Sequence, residues 1–366
     1  MSEATVIILH PPPDGDWPLT ALLHDARDRL ADHQTALFAD AGADEVIIER
    51  RPRATTFGAR LDELAARVHG GLVLLGAGSV PLLRTTDVQR LLQIARGGGP
   101  EALTNNRYSS DVLAIGDAGL LRGLGGERGD NALARRLAEG GVIVGELPGR
   151  DRLSIDLDTP LDLALLALTP GVPGQLRALA ACANLAVPRL TELRALAADP
   201  GAELLVFGRT SSQTLAWLER RTACRVRFLA EERGLRTAPR EQRPARATLG
   251  RLLDTRGPEN LASIVAELAD GAILDSRVLL ADRFGRHEGG WPSPEDRYAS
   301  DLLRPGAVTD PWLRALTASA ADARAPILMG GHTVVGPGLR WALPGRAPTR
   351  PGAPEPPPPA RRATLE

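Results

Sequence analysis

Ser154-Ile155-Asp156-Leu157-Asp158-Thr159-Pro160-Leu161-Asp162-Leu163 is the stretch from which the fold can be read. Apolar and acidic residues alternate from Ile155 to Asp158, which predicts a short strand, Ser154–Leu157. Asp156 and Asp158 then share a face, because side chains two apart along a strand point the same way. Thr159 and Pro160 open a predicted helix, Leu161–Leu168: a hydroxyl before the first turn caps free N–H groups, and proline at the first position gives up nothing. Two carboxylates on one face suit a hard cation such as Mg2+, which usually also takes phosphate oxygens. The same residues read equally well as a capped helix start, with Asp158 and Asp162 favouring the positive end of the helix dipole.

Upstream of this stretch, apolar strands and amphipathic helices alternate. Strands are predicted at Thr5–Leu9, Glu45–Glu49, Leu72–Leu75, Val112–Ile115 and Val142–Val144. Helices fit Leu19–Ala41, Phe57–Val68, Thr86–Ala95 and Asn131–Ala138. Strands separated by helices of this length form βαβ units and a mostly parallel sheet. A Pro- and Gly-rich segment, Thr169–Gly174, reads as a boundary. Two helical stretches follow, and alternation then resumes with strands at Glu203–Phe207, Arg225–Leu229, Ala272–Leu274 and Ile327–Met329. The expectation is an α/β chain of two domains, 1–170 and a smaller 171–343, followed by a disordered Pro-rich tail, 344–366.

The 366 residues contain no lysine, so all 44 basic side chains are arginine, set against 45 acidic ones. That excludes a P-loop lysine and Schiff-base chemistry. Two cysteines, Cys182 and Cys224, cannot build a disulfide framework or a zinc knuckle and suit a reducing compartment. No apolar run is long enough to span a bilayer, so a soluble cytoplasmic protein without a membrane partner is expected. Residues 1–170 carry 17 Arg and 24 acids, a net of -7, and the remainder 27 Arg and 21 acids, a net of +6. A basic second half attracts an anionic ligand or docks on the acidic first half. With aromatic residues at 3%, nucleic acid is not the expected partner. The six histidines, at 10, 24, 33, 69, 287 and 332, show no metal-ligand spacing in the sequence.

The strand-DxDTPxDL pattern closing an α/β segment of this size resembles the nucleotidyltransferases of the GT-A fold. The closest group is the small cofactor-pathway enzymes, such as molybdenum cofactor guanylyltransferase and 2-phospho-L-lactate guanylyltransferase. Gly71–Leu83 followed by Asp87, and Thr104-Asn105-Asn106 before Asp111, agree with the family's segments in order, and the likeness covers 1–168. It implies Mg2+ on Asp156 and Asp158, and an NTP and a small anionic substrate near Asn105, Asn106, Arg107 and Asp111. Two departures stand out. Pro11-Pro12-Pro13 replaces the Gly-rich nucleotide loop and offers no N–H donors, and Gly76–Gly78 lacks the family's central metal-binding Asp.

The second half offers its own candidates at predicted strand ends. Gly208-Arg209-Thr210-Ser211 reads as an anion site, with Gly allowing close approach and Arg209 supplying a fork. Asp275, Arg277 and His332 lie at the ends of later strands, where Asp275 and His332 suit an acid/base pair. Arg107–Leu113 also matches Arg297–Leu303 at five of seven positions, which suggests equivalent turns in the two halves. Three readings remain open: nucleotidyl transfer by the first half, a non-catalytic GT-A-like binding protein, or a different reaction centred on the second half.

Overall fold

The computed structural model describes residues 3–13, 15–51, 56–124, 132–235 and 243–343; the Pro-rich tail lies outside them. The larger sheet holds β1 (Ala4–Leu9), β2 (Glu45–Glu49), β3 (Gly71–Gly76), β4 (Glu101–Thr104), β5 (Val112–Ile115) and β6 (Ile143–Glu146), in the order β2-β1-β3-β5-β4-β6. All run parallel except β5, which is antiparallel to both β3 and β4. β1 and β3 are continuous apolar runs because they are covered on both faces. β4, only EALT, is too short and mixed to show in the sequence pattern.

Around this sheet lie α1 (Pro18–Asp40), α2 (Phe57–Arg67), α3 (Thr85–Arg96), α4 (Leu133–Glu139) and α5 (Pro160–Ala167). After them come α6 (Gly174–Cys182), α7 (Leu190–Ala198) and α8 (Ser212–Arg221). The smaller sheet is wholly parallel: β7 (Glu203–Gly208), β8 (Arg225–Ala230), β9 (Gly271–Asp275) and β10 (Ile327–Gly330), ordered β10-β9-β7-β8. The chain is therefore α/β, as expected. Two helices unseen in the sequence pattern, Ser276–Phe284 and Pro294–Asp301, follow β9.

The predicted strand Ser154–Leu157 is not a strand. It makes one isolated antiparallel bridge, Ser79 to Asp156, and the Leu157 N–H donates to Gly78 O at 2.7 Å. Ile155 and Leu157 are fully buried, packed with α1, α5 and α6, instead of continuing a ladder. The alternation in the sequence is real but records a segment crossing the end of β3. Asp156 and Asp158 still lie on the side opposite those two apolar residues, as the two-residue period requires.

α5 joins the two sheets. Thr159 caps it by accepting from Asp162 N at 3.2 Å, while Asp162 accepts from Thr159 N at 2.8 Å, with Pro160 in the first turn. Leu161, Ala164 and Leu165 belong to the core of the smaller sheet, whereas Leu163 and Leu166 pack with α1 and α6. The segment read as a boundary connects α5 to α6, which packs back on α1 and α5. α1 also reaches across. Its N-cap residue, Trp17, makes no side-chain cap, and Glu295 of the helix Pro294–Asp301 fills that role. The Glu295 carboxylate accepts from Leu19 N at 2.9 Å and from Thr20 N at 3.0 Å.

The sequence repeat does not mark equivalent turns. Arg107–Asp111 is the loop before β5, whereas Arg297–Asp301 forms the end of a helix. Five shared letters serve two unrelated backbones.

Candidate functional site

Five parallel strands of the larger sheet end at one edge, and β5, running the other way, begins there. That edge is where ligands bind in open α/β sheets. It gathers His10 after β1, Arg50 after β2, the turn 77–80 after β3, Asn105, Asn106 and Arg107 after β4, and Asp111 before β5. The Ser79 bridge brings Asp156 to the same edge.

Asn105 is fully buried and fastens the base of its loop. Its Nδ2 donates to Asp111 Oδ2 at 2.6 Å and to Leu153 O at 2.8 Å, and its Oδ1 accepts from Asp111 N at 3.0 Å and Val112 N at 3.3 Å. These bonds saturate the amide, so Asn105 shapes the loop and does not face a ligand. Asn106 Oδ1 accepts from Tyr108 N at 3.1 Å and Arg150 Nη2 at 2.8 Å. The Arg107 backbone N donates to Glu146 Oε1 at 2.8 Å, and its side chain is exposed.

The carboxylates crowd one another. Asp156 receives Val80 N at 3.4 Å, from a residue held at φ 44°. Burial, then the neighbouring Asp111 and Asp158 charges, push its carboxyl well above the usual range. Asp158 is exposed and meets Arg27 Nη2 at 3.4 Å, while Arg27 Nε donates to Leu157 O at 2.9 Å. Burial and Asp158 push Asp162 up to about 7. Asp162, buried at the start of α5, is a capping group.

The same edge holds a cluster that spacing along the chain concealed. His10 is buried, and its Nε2 lies 3.0 Å from Asp28 Oδ1. His24, one helical turn before Asp28 on α1, brings its Nε2 to 3.5 Å from Asp28 Oδ2, and the two imidazole centroids are 4.6 Å apart. Arg50 Nη1 donates to Asp28 Oδ1 at 2.6 Å. Burial would raise Asp28, but Arg50 and His10 hold it below the usual range; burial lowers His10. Among the described residues, His10, His24 and Asp28 are the group of three metal-ligating side chains whose atoms converge, within 4.8 Å of one another. Asp111, Asp156 and Asp158 do not converge in that way. The signal available in the sequence is His24-x-x-x-Asp28 on the helix that follows a strand with His10 just past its end. A small cleft of about 60 Å³ adjoins the cluster, lined by Pro11, Pro12, Pro13, His24, Arg27 and Tyr298 among others.

At the edge of the smaller sheet the expected residues do come close, but mainly to one another. Arg209 grips the fully buried Asp275 with two bonds, Nε to Oδ2 at 2.6 Å and Nη2 to Oδ1 at 3.1 Å. Burial works against the Asp275 anion, and Arg209 nonetheless holds it below the usual range. Gly208 serves this pair and not an anion: at φ 122°, a Cβ there would lie 2.3 Å from Asp275 Cβ. Thr210 Oγ1 donates to Val335 O at 2.6 Å, and Ser211 caps α8. Arg277 holds Asp301 at 2.5 and 2.7 Å, with both residues buried. His332 opens the turn after β10 and is part-exposed. His332 adds to the hold of Arg209 on the Asp275 anion, so the expected pair does interact, with Arg209 as the stronger partner. The four charges Arg209, Asp275, Arg277 and Asp301 neutralise one another in pairs.

No protein-family model matches the chain, and no curated protein is significantly similar to it. Among the described residues, no helix is long and apolar enough to cross a membrane.

Proposed function

We propose that the edge of the larger sheet binds a phosphorylated ligand together with a divalent cation, and that the chain is a nucleotidyltransferase-like protein acting on a small phosphorylated acid or alcohol. The observation that supports this reading is the gathering of carboxylates at this edge: Asp156 has a single long backbone contact, from Val80 N at 3.4 Å, and feels the charges of Asp111, Asp158 and Asp162. Hard carboxylate oxygens fit Mg2+, which needs only one or two of them when phosphate supplies the rest. Asp156 and Asp158 are the residues that would hold it; such an ion would offset charge on the transferred phosphoryl group. In that reaction an acceptor oxygen bonds to the α-phosphorus of an NTP, and pyrophosphate leaves. Arg27, beside Asp158, and the exposed Arg107 are the cations available to phosphate, with guanidinium forks in place of the absent lysine.

A second reading, ligand binding without turnover, is favoured by Pro11–Pro13, which supply no backbone donors for a triphosphate. A thermal-shift panel of the four NTPs with and without Mg2+ tests both. Nucleotide at about 100 times its Kd adds roughly 2.7 kcal/mol. The expected result is a Mg2+-dependent shift in the wild type that the Asp156→Asn/Asp158→Asn double variant lacks. A shift without pyrophosphate release over a panel of phosphorylated acceptors selects the binding reading. No shift with any nucleotide overturns the nucleotide assignment.

A further inference from the structure

We infer that His10, His24 and Asp28 form a binding site for a transition-metal ion of the zinc class, separate from the carboxylates of the proposed phosphate site. Two imidazoles and one carboxylate are the donor set such ions take, with bonds of about 2.0–2.2 Å and tetrahedral geometry. The edges of such a tetrahedron run about 3.3 Å. The observed spacings, Asp28 Oδ1 to His10 Nε2 at 3.0 Å and Asp28 Oδ2 to His24 Nε2 at 3.5 Å, lie on either side of that length, each through a different carboxylate oxygen, and the three ligand atoms lie within 4.8 Å of one another.

Hydrogen bonding alone does not account for the cluster. Only the His10–Asp28 contact is short enough to be a hydrogen bond; His24, at 3.5 Å, is drawn to the same carboxylate without making one. His10 Nδ1 is buried without a partner among the described residues, so the ring is held only through Nε2, the nitrogen that faces Asp28. Arg50 on Asp28 Oδ1 leaves Oδ2, the oxygen facing His24, for the ion, and takes the part of an outer-shell donor orienting a ligating carboxylate. Three protein ligands leave one position open in a tetrahedral site. The cleft lined by Pro11–Pro13, Arg27 and Tyr298 touches His24, so water or an anionic oxygen can reach that position from solvent. The three prolines that spoil a phosphate loop form a stiff, donor-free wall beside the cluster.

The test is titration of the untagged full chain with Co2+, followed by visible absorption and metal analysis. The expected result is uptake of one equivalent with the intense bands of four-coordinate Co2+, displaced by Zn2+. His24→Gln and Asp28→Asn should each weaken binding at least about tenfold. His24 is part-exposed on α1, so its glutamine variant is expected to keep the wild-type far-ultraviolet dichroism. Cys182→Ser and the Asp156→Asn/Asp158→Asn variant should bind as the wild type does, which separates this site from thiolate capture and from the phosphate site. Absence of stoichiometric uptake, or unchanged uptake in a folded His24→Gln variant, overturns the inference.

Discussion

Burial and the charges of Asp111, Asp158 and Asp162, set against one long backbone contact, make the native fold favour the protonated form of Asp156. The sign of the pH effect follows from that. Between the ordinary carboxylate pKa and the raised native one, the folded state holds more protons than the unfolded, so this residue's contribution to stability falls as pH rises through that window. Asp156→Asn carries no such titration. Its stability relative to the wild type is expected to be lowest near the ordinary carboxylate pKa, about 4, and to climb as pH is raised above it, read from urea midpoints. A difference that stays flat over that range would show that the charges are already compensated. Residues of this kind were legible in part. The shared side of Asp156 and Asp158 is legible because a two-residue period survives even where a strand does not form. The Asp275–Arg209 pair is not legible, because the sequence cannot say that Arg209 folds onto that carboxylate.

At the scale of elements, the reading of α1 turns on its first turn. Proline lies in that turn, but Trp17 offers no oxygen to cap the next N–H groups, and the cap comes from Glu295, 276 residues from Leu19 along the chain. Glu295→Ala is expected to cost about 1 kcal/mol, the usual value of a side-chain cap. Amide exchange at Leu19 and Thr20 should speed up more than exchange in the middle of α1. Equal protection in variant and wild type would mean that water serves as well as the carboxylate. Such a cap is invisible to local pattern reading, as is the convergence of His10 with His24 and Asp28: each depends on where separate elements meet. By contrast, the start of α5 was fully readable, because Thr159, Pro160 and Asp162 satisfy one another within four residues. The missed β4 and the false strand at 154–157 share a cause. Four residues of mixed polarity pair because their neighbours are in place, and four well-patterned ones do not because the ladder ends elsewhere.

Across the whole molecule, the two sheets are coupled through the leucines of α5. Leu161 is fully buried in the core of the smaller sheet and reaches β10, where a Cβ on Gly330 would lie 2.9 Å from Leu161 Cδ2. Leu161→Ala is expected to cost about 2–5 kcal/mol. Because Leu163 and Leu166 on the same helix pack with α1 and α6, the loss should lower exchange protection in both sheets. Loosening confined to β7–β10 would instead mark two independently stable units. The charge asymmetry between the halves fits this arrangement: Arg340 of the second half pairs with Asp151 of the first, while Arg209–Asp275 and Arg277–Asp301 are internal to the second.

The reversal of β5 has a consequence for how this edge could change over time. A parallel strand arriving there would hand its chain to a helix, and any alteration at its end would disturb that helix's docking. β5 instead starts at the edge, after a short loop clamped at its base by Asn105 and at its far end by Asp111. Residues 106–110 between the clamps include the exposed Arg107 and Tyr108 and carry no helix behind them. Asn106 and Ser110 are tied to the scaffold, so it is at Arg107 and Tyr108 that substitution can change what the edge presents while the clamp beneath stays in place.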